Sequence, residues 1–291
     1  MTLRAAFVCV AALAAVPLLV LPSPSCAQVT PAASQDSVED APASVDSTMP
    51  PLPIPPVPPR IAEGAGYEAC LDMLATDPSG ADAMATGMVV GGAAPGSSEG
   101  AQHCHALAQV ELGNTESGAA LLDRLATTST APAASRAVVF AQASQAWTMS
   151  NKLVQAYASA SAALSLSPDD PELLIGQAIA GLALGHDAQA ADDLTHALEL
   201  DPKRADALIL RATAYRSLDK LDLAKADITA ACALDPENPD GLLERGIIRQ
   251  RLGDLAGARS DWEHAADLAP DTPTADLAQQ NLALLEAGPR Q

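Results

Sequence analysis

ADALILRATAYRSLDKLDLAKADITAACALDP, residues 205–236, is the stretch whose reading decides the fold. Moving 34 residues in either direction finds the same residue types in the same places. Prolines stand at Pro168, Pro202, Pro236 and Pro270. With each proline numbered as position 32 of its copy, position 20 is Ala156, Ala190, Ala224 and Ala258, and position 27 is Ala163, Ala197, Ala231 and Ala265. Position 30 is always leucine: Leu166, Leu200, Leu234 and Leu268. Position 8 is small (Ser144, Ala178, Ala212, Gly246) and position 4 large and apolar (Phe140, Leu174, Leu208, Leu242). A fixed period of this length is the mark of stacked repeats.

Each copy reads as two helices. Position 15 carries Asn151, Gly185, Asp219 and Gly253, residue types that tolerate a tight turn. The small residue at position 8 of the first helix (helix A) is expected to face the alanine at position 20 of the second (helix B), so that two backbones approach closely. Large residues at positions 4, 24 and 30 are expected to fill the space between hairpins, position 24 growing from Ala160 through Leu194 and Ile228 to Trp262. The proline then sits just after helix B, where no helix hydrogen bond is lost.

Residues 137–270 resemble four tetratricopeptide repeats, whose period is 34. The departures lie at position 11, where Trp147 and Tyr215 fit the usual aromatic but Gly181 and Arg249 do not. The resemblance implies an all-α fold: a right-handed α-solenoid of antiparallel helix-turn-helix repeats. It also implies that the A helices line a concave groove, into which positions 2, 5, 6, 9, 12 and 13 point. Ile175, Ile179, Ile209, Thr213, Arg216, Leu243, Ile247 and Arg251 are the expected partner-binding residues. Relatives that grip a carboxylate-ended peptide use Lys and Asn at positions 5 and 9; here those positions are aliphatic or Thr, which disfavours that mode. The other reading of these aliphatic residues is that they pack on one another or on the N-terminal segment.

Flanking stretches extend the array. Residues 271–287, with Leu277, Leu282, Leu284 and Leu285 among polar residues, read as a helix closing the last apolar face. Leu112-Gly113-Asn114 echoes the later Leu-Gly turns, so a degenerate hairpin is expected near 98–112 and 115–128, about four residues out of register with the first repeat. Tyr67 to Val90 reads as one more helical pair, followed by a glycine-rich flexible run at 91–96; together these make an N-terminal helical segment over 61–135. Residues 28–60, ending in a proline-rich run from Met49, read as a disordered, extended linker. Met1 to Ala27 has a basic start at Arg4, an apolar run from Ala5 to Leu21 and a small-residue site at Ser25-Cys26-Ala27, the layout of a cleaved export signal. An uncleaved membrane anchor is the alternative. Acylation of Cys26 is the weaker reading, because Ser23-Pro24-Ser25 lacks the expected apolar residue.

Composition narrows the partners. The chain has 36 acidic and 16 basic residues and a net charge of −20. Such a surface repels nucleic acid and anionic lipid, leaving an unidentified protein or peptide partner, and a monomer is expected. Beyond the signal three cysteines remain: Cys232 reads as a core residue, while Cys70 and Cys104 could form a disulfide in an oxidising compartment, closing a loop worth about 2–4 kcal/mol. Two reduced buried thiols are the alternative.

No catalytic, cofactor or metal arrangement emerges. In His103-Cys104-His105, successive side chains on a helix diverge by about 100° and cannot converge on one ion; His103 is expected at the surface. Asp169-Asp170 and Asp192-Asp193 read as helix caps or solvated charge. The expected function is therefore that of a periplasmic protein-binding scaffold, without chemistry of its own, in envelope assembly or cell division. An inner-membrane-tethered structural protein is the rival.

Overall fold

The computed structural model describes residues 59–90 and 97–287. The export signal expected over 1–27, nearly all of the linker expected over 28–60, and the run 91–96 lie outside the described residues. Among the described residues there are thirteen α-helices and no strand.

Four helices come first: α1 (Ala65–Leu74), α2 (Pro78–Val90), α3 (Ser97–Glu111) and α4 (Thr115–Thr128). Four hairpins follow: α5 (Ala133–Met149) with α6 (Leu153–Leu166), α7 (Pro171–Ala183) with α8 (Asp187–Leu200), α9 (Ala205–Ser217) with α10 (Leu221–Leu234), and α11 (Pro239–Arg251) with α12 (Leu255–Leu268). A last helix, α13 (Pro273–Ala287), starts 34 residues after α11 and so takes the place of a fifth helix A. Helix α5 has 17 residues where α7, α9 and α11 have 13. The four residues that break the sequence register add one turn to its N-terminus.

Every A-to-B turn is closed in the same way. Position 15 is left-handed in Asn151, Gly185, Asp219 and Gly253, and Gly113 repeats the geometry between α3 and α4. The next residue then donates its backbone N–H across the helix end: Lys152 to Trp147, His186 to Gly181, Lys220 to Tyr215, Asp254 to Arg249 and Asn114 to Gln109. This satisfies carbonyls that the helix end would otherwise leave bare. Starts are also encoded, with Pro171 and Pro239 in the first turn behind the capping side chains of Asp170 and Asn238.

The alanines at positions 20 and 27 are buried, and Pro168, Pro202, Pro236 and Pro270 fall in turns. Position 24 is sealed in all four repeats. Gly246 shows why helix A must be small opposite a bulky helix B: a methyl group there would lie 2.3 Å from Nε1 of Trp262. At position 30 Leu166 packs on a cluster with Leu173 as expected, but the other three leucines correct the sequence reading. Leu200 is 45% exposed, Leu234 47% and Leu268 38%. They are the last residues of their B helices. Gly181 does without the aromatic of position 11, because Tyr157 and His186 meet edge to face beside it.

Candidate partner-binding face

Successive A helices pack on one another, α5 on α7, α7 on α9, α9 on α11 and α11 on α13. No B helix touches the next B helix to that extent. The A helices therefore form a continuous layer on the crowded side of the stack.

The expected groove residues divide by depth along this layer. Ile175, Ile209, Thr213 and Arg216 are buried. Ile209 is wedged against α11, where its Cδ1 would sit 3.2 Å from a methyl group on Gly241. The hydroxyl of Thr213 donates to the carbonyl of Ile209. Arg216 donates from Nε to Glu244 at 2.7 Å, and the two side chains are only 5% and 7% exposed. Removing one member breaks a buried ion pair, at a cost of about 3–5 kcal/mol. Ile179, Leu243 and Ile247 are half-buried and Arg251 is exposed. Arg251 donates to the carbonyl of Arg216 and to Asp219.

The side chains left for a ligand thus form an apolar strip of Ile179, Leu182, Leu210, Leu243 and Ile247, all half-buried. Gly176 adds a gap, since a side chain there would meet nothing within 4 Å. Carboxylates stand at position 2 of α7, α9 and α11. Glu172 and Asp206 share Arg204, whose hydrogen bond holds the Asp206 carboxyl below the usual range, and Asp240 accepts from the hydroxyl of Thr274.

Two polar systems inside the fold were not read from the sequence. The first joins helix A to helix B. Arg211 grips Asp227 with two parallel hydrogen bonds of 2.7 and 2.9 Å, and Arg245 grips Asp261 in the same way at 3.0 and 2.6 Å. These are positions 7 and 23 of repeats three and four. Repeat two keeps the carboxylate, Asp193, but has Gln177 in place of the arginine. Asp193 is 7% exposed, not solvated as its sequence suggested, and accepts from Gln189. Its Oδ2 and the Oε1 of Gln177 have no hydrogen-bond partner, and burial pushes the carboxyl pKa up. The aligned repeats carried this signal: three carboxylates in register opposite two arginines.

The second system corrects the expectation for His103, which is 2% exposed. Its Nδ1 lies 2.5 Å from the Tyr67 hydroxyl and its Nε2 2.7 Å from Oε1 of Gln142. This ties α1, α3 and α5 together. Burial lowers the imidazole pKa to about 4. Next to it Cys70 and Cys104 form a disulfide, while Cys232 is a buried thiol. Among the described residues, no group of three or more His, Cys, Asp or Glu side chains is placed to hold a metal ion, and no helix is long and apolar enough to cross a membrane.

A family model for the tetratricopeptide repeat matches residues 210–283, which run from α9 into α13. This is a helical repeat protein of the tetratricopeptide type. Two solved structures are similar to it in fold. One is TTC0263, a thermophilic protein of Thermus thermophilus, with 18% identity and a TM-score of 0.51, covering 65% of this chain and 99% of the other. Another is the MamA RS-1 ArsTM double mutant, with 18% identity and a TM-score of 0.52 over 60% of this chain and 96% of the other. The first tetratricopeptide domain of Spaghetti (RPAP3), solved with an HSP90 peptide, has 26% identity and a TM-score of 0.37 over 40% of this chain and 90% of its own. No curated protein matches the chain. The tetratricopeptide match is to a repeat family, and no enzyme family is indicated.

Proposed function

We propose that this tetratricopeptide protein is a non-catalytic scaffold that holds a segment of a partner protein along its A layer. The observation that carries this reading is the open apolar strip from Ile179 to Ile247, with empty space over Gly176. An extended or helical segment laying apolar side chains on such a strip is a recurrent mode of recognition. The proposal extends to the setting: the periplasm, within an envelope-assembly or cell-division complex. The signal-like Met1–Ala27 and the Cys70–Cys104 disulfide support an oxidising, exported environment. The apolar run Ala5–Leu21 also suits the rival, a membrane-tethered array. Mass spectrometry of the N-terminus separates the two, since a mature start at Gln28 excludes the anchor.

The binding face is tested with two variants at half-buried positions of the A layer. Ile247→Glu puts a charge on the strip, and Gly176→Leu fills the open space. With helicity unchanged by circular dichroism, each is expected to lose the partner that the wild-type chain retains from native envelopes. Equal recovery by wild type and both variants places the binding site elsewhere.

A further inference from the structure

We infer that the segment held on the A layer is basic as well as apolar: an amphipathic partner segment with Lys or Arg along one edge. This rests on the groove reading above. Every arginine from Arg204 to Arg259 already bonds a carboxylate of the chain itself. Those at the expected groove positions or beside the position-2 carboxylates are Arg204, Arg216 and Arg251. A ligand carboxylate reaching Arg216 would have to compete with the buried Glu244 carboxylate already bonded to it. Recruiting Arg204 would leave Glu172 and Asp206, two like charges on neighbouring A helices, without the cation they share.

The surplus charge is negative. Glu172, Asp206 and Asp240 occupy the same position on α7, α9 and α11, so they form a row beside the apolar strip. The row has three carboxylates and one bonded arginine, and the chain around it carries −20. A ligand with cations on the edge that meets this row, and leucine-like side chains on the face that meets Leu210, Leu243 and Ile247, satisfies both features together. Complementarity of this kind speeds encounter and rejects acidic competitors.

The test uses three synthetic helical peptides with one leucine face and polar faces of Lys, Glu or Gln, plus a Lys peptide with its leucines scrambled. Binding to the full chain is followed by fluorescence anisotropy at low and high salt. The Lys peptide is expected to bind roughly tenfold or more tighter than the Gln peptide, and the Glu peptide more weakly than either. High salt should shrink that preference. Asp206→Asn with Asp240→Asn should cut it by roughly threefold or more, while affinity for the Gln peptide stays the same. Gly176→Leu should weaken the Lys and Gln peptides alike.

If the Glu peptide binds as tightly as the Lys peptide, and still depends on Gly176, the basic-partner inference is overturned while the groove reading stands. If the scrambled peptide matches the Lys peptide, or the Asp variants leave the preference unchanged, the attraction is not located at this row and the inference fails. If no leucine-faced peptide binds, or binding ignores both Gly176→Leu and Ile247→Glu, the groove reading falls with it.

Discussion

His103 is a neutral imidazole enclosed between a phenol and a carboxamide. Its pKa falls from the ordinary 6.5 to about 4 through burial, so between those values the unfolded chain binds the proton that the folded chain refuses. Stability at this site is complete above pH 6.5 and is lost as pH falls toward 4, by about 3 kcal/mol. Denaturant titrations across this window should show that slope, and His103→Gln should flatten it relative to wild type. Gln177 offers the opposite kind of change. Gln177→Arg copies the pairs of the next two repeats and supplies a donor to Asp193, so urea unfolding should show a gain of about 1–3 kcal/mol. An unchanged or lower midpoint would mean that Asp193 is already satisfied. The burial of neither site was read from the sequence, although the aligned repeats did mark Asp193 as a position where a carboxylate recurs. His103 lies in the segment without a 34-residue period, so no aligned copy indicated which way it faced. Asp193 did have aligned copies, but the burial of a carboxylate depends on its partner across the hairpin, not on its own type. The alanines and the turn residues were legible because close approach and left-handed backbone restrict residue type directly.

Two glycines inside A helices make opposite demands. Gly246 faces Trp262 at a distance no side chain tolerates, so Gly246→Ala should destabilise by about 1–3 kcal/mol through overpacking. Gly176 faces open space, so Gly176→Ala should stabilise by up to about 1 kcal/mol through helix propensity alone. Thermal melts of the two variants in parallel test both signs. The hairpins themselves were readable, because period, prolines and turn types all point to the same helix pairs. The longer α5 was visible only as a register break; that an added turn absorbs it needed the structure. The position-30 leucines recur as faithfully as the alanines yet Leu200, Leu234 and Leu268 are exposed, because regular spacing marks equivalence between repeats and does not measure depth. For the same reason the eight residues expected in the groove lie at different depths. Positions 5 and 9 approach the seam between A helices, and how tightly that seam closes depends on neighbours such as Gly241.

For the molecule as a whole, the Cys70–Cys104 bond spans a sequence separation of 34 in a segment that shares one apolar core with the first repeat. Reduction should lower the stability of that part by about 2–4 kcal/mol. Both cysteines are fully buried, so a reductant without denaturant should act slowly, and the rate should rise with added urea. That shared core holds Tyr67, Leu107 and Leu122 together with Val139, Trp147 and Ala160. It is reinforced where Asp123 accepts from Trp147 and Ser159. At the other end, Trp262 and Leu242 anchor a much smaller cluster under α13, and Leu284 lies outside it. An array bolted at one end and thinly covered at the other should loosen directionally. Amide hydrogen exchange is expected to reach α13 and α12 well before α3 to α5, so unravelling starts at the last helix and travels toward the disulfide. The strip on α11 lies near the loosening end, so a ligand seated there would also act as a latch on the final hairpin.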